Sequence, residues 1–179
     1  MLNFWIGLSA FLLFALGDLN TLHWKTKMLN TAFFLGCILL LYSTASLVWP
    51  MLPGAPLWRL ILFGGAAAFF FSLLMYALFF AIPFDETYLT PDSGRKVCRN
   101  GMYGMCRHPG ILWFAGMYLC LYLAAPSIKL LAAALAFNAA NLTYILWQDV
   151  YLFPKTFADY DDYKLSVPLL IPKFRRGRQ

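Results

Sequence analysis

Charge is scarce in this chain. Asp, Glu, Lys and Arg together make up 12% of its 179 residues, with only eight carboxylate side chains and two histidines. An ordinary soluble domain carries about twice that share, about 25%. Apolar residues fill the gap: 61% of the chain is hydrophobic, 18% is aromatic and the mean hydropathy is +0.66. A chain so poor in charge cannot keep a soluble domain's surface wet, which excludes that class and points to hydrocarbon. Cysteine gives equally little. Cys37 and Cys120 fall in apolar runs, and Cys98 and Cys106 are not in a CxxC spacing. Four free thiols and no metal centre are expected. No repeat or low-complexity segment is present.

Five apolar runs stand out: Leu2–Gly17, Met28–Trp49, Leu60–Ile82, Ile111–Ala125 and Ile128–Trp147. A helix crossing a bilayer needs about 20 such residues. The first and fourth runs fall short of that and call for flanking residues or a thin bilayer. The first run has no basic segment before it and no small-x-small cleavage site, so it reads as a retained helix. Pro126, which lacks the amide a helix interior needs, ends the fourth helix and makes the last two runs a hairpin. The fold class is therefore an all-α integral membrane protein of about five transmembrane helices. It is one domain over residues 1–179, with three spans in 1–82 and the remaining polar and helical parts in 83–179.

The basic residues orient it. Lys25 and Lys27 follow run one, Arg95, Lys96, Arg99 and Arg107 follow run three, and Lys155, Lys164, Lys173, Arg175, Arg176 and Arg178 follow run five. Only Arg59 and Lys129, of 14 basic residues, fall on the other side. The positive-inside rule then puts the N-terminus outside and the C-terminus in the cytoplasm. The net charge of +6 faces anionic lipid, so no nucleic-acid partner is needed to explain it. The short first run and the lack of a sorting signal suit a bacterial inner membrane. Gly64, Gly65, Ala66, Ala67 and Ala68 read as a surface for close helix packing.

The polar material collects in two places on the cytosolic side, residues 83–110 and 148–174. Arg107-His108-Pro109 has its proline where a helix begins, so that two side-chain donors and the helix amides face an incoming anion. In the last run Asn138, Asn141 and Gln148 share roughly one face, with Asp149 at the exit. Such groups in a membrane helix pair with one another or line a wet cavity. Beyond Pro154, which breaks that helix, a short amphipathic helix carries Tyr160 and Tyr163, read as interfacial anchors. The residues alone describe a polar cytosolic pocket on a helical membrane protein.

The stretch VCRNGMYGMCRHP, residues 97–109, resembles the G-x-Y-x-x-x-R-H-P signature of the isoprenylcysteine carboxyl methyltransferase and phospholipid methyltransferase group, at Gly101, Tyr103, Arg107, His108 and Pro109. The tail resembles that group's ending at Gln148, Asp149, Leu152, Tyr160–Tyr163 and Val167-Pro168. The resemblance spans about residues 97–172. It implies an S-adenosylmethionine-dependent methyltransferase whose pocket is formed by the loop before helix 4, helix 5 and the tail. Arg107 and His108 would hold the methionine carboxylate, Asp149 and Gln148 would receive its ammonium, and the loop at Gly101 and Tyr103 would wall the adenosine. No catalytic acid or base is implied beyond positioning by Arg107, His108 and Asp149. The acceptor would be a membrane lipid or another lipophilic molecule bearing a carboxylate, thiol or amine. Gln148, Ile111 and Trp113 depart from the pattern. Two other readings stay open: an NADPH-dependent membrane reductase of similar helical layout, and a non-enzymatic membrane protein with a drifted site.

Overall fold

The computed structural model describes residues 1–81 and 96–172. The turn signals at Pro83, Pro91-Asp92 and Ser93-Gly94 and the basic end RRGRQ lie outside the described residues. Every regular element within them is helical: α1 Leu2–Trp24, α2 Lys27–Gly54, α3 Leu57–Phe79, α4 Pro109–Ala124, α5 Ile128–Thr156 and the short α6 Tyr160–Ser166. By length and composition α1, α2, α3 and α5 can each cross a membrane, while α4 has only 16 residues.

α1 packs along α2, α3 along α4, and α5 returns from α4 to close against α1. The hairpin turn is built as expected for Pro126, with Ser127 capping α5 by accepting from the Leu130 amide at 3.1 Å. Phe11, Phe14, Phe114, Tyr118 and Phe137 fill the centre. Leu12, Leu41, Phe69, Leu119 and Leu135 point outward and are exposed, an exterior that only lipid tails would cover well. With no hydrophobic gain between helices in lipid, packing and hydrogen bonds hold such a bundle. Two of these bonds cross between helices: Tyr118 to Thr44 at 2.5 Å, and Ser43 donating to the Asn3 carbonyl at 2.6 Å.

Four sequence expectations need correction. The first helix is not short: it runs on through Asp18 to Trp24 in a wide π turn, Asn20–Trp24. Asn20, fully buried, makes that continuation possible. Its side chain accepts from the Thr26 amide and hydroxyl and donates to the Thr26 carbonyl and Asn30. The length argument for a bacterial inner membrane therefore falls away. Nor does Pro154 break the fifth helix, which continues to Thr156. The wide turn Gln148–Leu152 immediately before it loosens the backbone where the ring would otherwise clash. Tyr160 and Tyr163 are not lipid anchors but buried residues packed on Phe153 and Val97.

The fourth correction concerns close packing. A side chain at Gly64 or Gly65 would meet nothing within 4 Å, whereas one at Gly36 would sit 2.7 Å from the Phe14 ring and 3.0 Å from the Ala10 carbonyl. The close approach lies between α1 and α2, and in the 64–68 stretch only Ala67 is buried. Gly36→Ala should therefore destabilise the protein by about 1–3 kcal/mol. Gly64→Ala should be neutral or gain up to about 1 kcal/mol from helix propensity. Thermal unfolding in detergent separates the two, and the reverse order would contradict this packing.

Candidate functional site

The last turn of α5 carries Asp149 into the interior, where it is 6% exposed. Three donors converge on its Oδ1: Arg107 Nη1 at 2.6 Å, Tyr160 Oη at 2.7 Å and His108 Nε2 at 3.0 Å. Its Oδ2 faces a single cation, the Lys164 ammonium, at 3.8 Å. One carboxylate thus joins three segments that are distant in sequence: the loop before α4, α5 itself and α6.

Local structure explains why they meet. Tyr103 donates to the Ala77 carbonyl at the end of α3 (2.9 Å), fixing the loop to the bundle. Asp159 accepts from the Val97 amide and from Arg99, fixing the start of α6 to the loop. Tyr163 donates to the Tyr103 carbonyl at 2.6 Å. The amides of Arg107 and His108 donate to the carbonyls of Pro168 and Leu169, so the tail lies across the R-H-P tripeptide like an added strand. Pro109 opens α4 with His108 as its cap residue. Those two amides are committed to the tail and the Ile111 amide turns back to the His108 carbonyl. An anion here would therefore meet side-chain donors, not the open row of amides that the sequence suggests.

Two glycines shape the loop for different reasons. Gly101 has a φ of +57°, the left-handed region that favours glycine, although a Cβ there would touch nothing within 4 Å. At Gly104 a Cβ would lie 2.6 Å from the Arg99 carbonyl oxygen, so backbone passes where a side chain would be.

Burial sets the protonation states. It holds the His108 imidazole below its ordinary value of 6.5, against the opposing pull of Asp149. A neutral ring facing a carboxylate carries its one proton on Nε2, the atom nearest Asp149. Burial, then the hydrogen bond and charge of Asp149, pushes the Tyr160 phenol well above its ordinary 10, so it remains a donor. Phe153 stacks on His108 with ring centroids 5.8 Å apart and fixes the plane of the imidazole. The buried Arg107 Nε has no hydrogen-bond partner among the described residues.

Of the residues singled out in sequence, Arg107, His108 and Asp149 touch one another. Pro109, Tyr103 and Gly101 shape the loop that delivers them. Gln148 is not with them. It turns to α1 and donates to Asp18 Oδ2 at 2.7 Å and to Tyr144 at 2.8 Å, while Tyr144 also donates to Asp18. Asn138 donates to the Ala134 carbonyl of its own helix. Of the two other departures from the pattern, Ile111 is buried and Trp113 lies against Phe70. Tyr160, Lys164, Gly104 and Asp18 were not singled out for any such role. Tyr160 had a signal in hindsight, since a tyrosine three residues before another on a seven-residue helix puts both on its inner face.

The neutral state of His108 makes stability depend on pH. The unfolded imidazole takes up its proton near 6.5, the folded one only at lower pH, so the folded chain binds fewer protons between the two. This stabilisation is complete above about pH 6.5 and is lost as pH falls through the folded value. Melting temperature measured from pH 7.5 down to 5 should fall more steeply for the wild type than for His108→Gln; equal slopes would contradict the assignment. In the loop, Gly101→Ala should be destabilising by about 1–2 kcal/mol through its left-handed backbone. Gly104→Ala should be at least as damaging, because its obstacle is backbone.

Compared with protein-family models, with curated proteins and with solved structures, the chain finds no match in any of the three.

Proposed function

We propose that this chain is a membrane methyltransferase that uses S-adenosylmethionine to methylate a lipophilic acceptor bearing a carboxylate, thiol or amine, at the cytosolic face. The observation that carries the proposal is the opposition of Arg107 and His108 to Asp149 across 2.6 and 3.0 Å. These are the groups that a zwitterionic amino-acid end needs, donors for its carboxylate and a carboxylate for its ammonium, and charge-assisted bonds of this kind are the strong ones. The resemblance of residues 97–172 to the isoprenylcysteine and phospholipid methyltransferase group supports the same reading. The charge bias, 12 of 14 basic residues on this side, supports its cytosolic placement with the N-terminus outside.

The residues present fit such a ligand. The unpartnered Arg107 Nε is a buried donor awaiting an acceptor. Asp149 Oδ2 already attracts a primary ammonium, that of Lys164, and so shows the kind of group the position accepts. Binding would exchange the internal Arg107–Asp149 pair for two pairs of opposite charge, Arg107 with the ligand's carboxylate and Asp149 with its ammonium, which leaves no buried charge uncompensated. S-adenosylmethionine, when bound, supplies an activated methyl group on a sulfonium. The protein's contribution is chiefly orientation: Arg107, His108 and Asp149 hold the amino-acid end while the tail, tied to Arg107 and His108 by two backbone bonds, keeps water out. His108 and Asp149 are both engaged in that grip, so neither is free as a general base. An acceptor that is nucleophilic without help, such as a carboxylate, suits the site best.

Calorimetric titration of S-adenosylhomocysteine into detergent-solubilised protein tests this. Micromolar binding is expected, weakened at least about tenfold, or ~1.4 kcal/mol, in Arg107→Gln and in Asp149→Asn. A folded wild type that does not bind would overturn the proposal, and saturable NADPH binding in its place would favour the reductase reading.

A further inference from the structure

At the far end of the bundle from Asp149, a cavity of about 420 Å³ lies between the α2–α3 turn and the α4–α5 turn, lined by Met51, Gly54, Pro56, Ala125, Pro126 and Arg59. That volume is within the range of small-molecule sites, about 300–1,000 Å³. Its walls are proline, glycine, alanine and methionine apart from one polar side chain, the Arg59 guanidinium. Arg59 Nε is buried without a hydrogen-bond partner, and its guanidinium, 5.8 Å from the centroid of the Trp58 ring, makes no ion pair among the described residues. A buried donor left unpaired is costly, so this one marks a missing acceptor.

None of the described acidic residues lies here: Asp18, Asp149, Asp159, Asp161 and Asp162 belong to the other end of the bundle. Pro50, Pro53 and Pro56 remove three backbone donors around the cavity and stiffen this end of the bundle. The cavity sits directly at the start of the 23-residue helix α3, whose positive end adds to its field. Trp49 and Trp58 flank it, 75% and 62% exposed. Exposed tryptophans at a helix end mark headgroup depth in a bilayer, and Leu57, Ile61 and Leu62 beside them are exposed as lipid-facing residues would be.

We infer that the Arg59 cavity is a binding site for the phosphodiester headgroup of an anionic lipid in the leaflet at that end, with the guanidinium on the phosphate and the acyl chains along α3. The phosphate group is shared with free inorganic phosphate. A lipid is the source the flanking tryptophans and leucines favour, since a free anion has no use for them.

Native mass spectrometry of detergent-solubilised protein with dioleoyl phosphatidylglycerol, dioleoylglycerol or inorganic phosphate distinguishes the possibilities. The wild type should retain a tightest phosphatidylglycerol adduct that dioleoylglycerol does not form. Arg59→Gln should reduce its occupancy at least about tenfold, and Lys129→Gln, an exposed lysine at the same end, less than about twofold. Gly54→Leu is an independent second variant. A Cβ at Gly54 meets nothing within 4 Å, so a leucine would fill the cavity, keep the guanidinium and still displace the lipid. Unchanged adducts in both Arg59→Gln and Gly54→Leu, equal retention of dioleoylglycerol, or saturation by inorganic phosphate alone would overturn the inference.

Discussion

The Asp149 carboxylate is the constraint on which the architecture of its end of the bundle depends. A buried carboxylate is tolerated only with charged and hydrogen-bonded partners. This one, on α5, draws its partners from two other segments, Arg107 and His108 before α4 and Tyr160 and Lys164 on α6. The loop and the tail have little apolar contact of their own beyond the small cluster of Tyr160, Tyr163 and Val167. Their joint position therefore follows from an ionic centre supported by a few backbone bonds. Such a centre is weak evidence of stability, because the cost of removing its charges from water offsets much of what their pairing returns.

The same turn of α5 explains why two neighbouring polar residues serve different ends. Successive residues on a helix point about 100° apart, so Gln148 and Asp149 cannot both face one ligand. Gln148 faces α1, where with Tyr144 it completes the hydrogen bonding of Asp18. The turn is wound wide from Gln148 to Leu152, which lets α5 run on past Pro154. A carboxylate at position 148 would confront Asp18 directly. A neutral amide there is the residue that pairs with it, so the departure from the methyltransferase pattern at Gln148 has a structural reason that does not involve the ligand.

The helices were legible because apolar runs of about 20 residues are the strongest signal a membrane chain carries. The meeting of loop and tail was legible from charge: both held the polar groups and both fell on one side. The extension of α1 was hidden because Asp18, Asn20 and His23 look like a loop, and only the closed hydrogen-bond set of Asn20 with Thr26 and Asn30 makes them helix and turn. The roles of Tyr160 and Tyr163 were hidden for a related reason. An aromatic ring beside charges reads as an interfacial anchor unless the partner of its hydroxyl is known, and those partners, Asp149 and the Tyr103 carbonyl, are distant in sequence. Packing glycines were misplaced because a Gly-Ala run resembles a contact surface, whereas what marks Gly36 is the Phe14 ring against it.

The two ends of the bundle solve the problem of polar groups in opposite ways. At the Asp149 end the buried carboxylate finds its counter-charges within the chain, in Arg107 and Lys164. At the Arg59 end no described residue supplies a carboxylate, and the lipid phosphate proposed above would be the counter-charge. With its Nε buried and its guanidinium 5.8 Å from the Trp58 ring centroid, Arg59 is held against the bundle at the depth that exposed tryptophans mark.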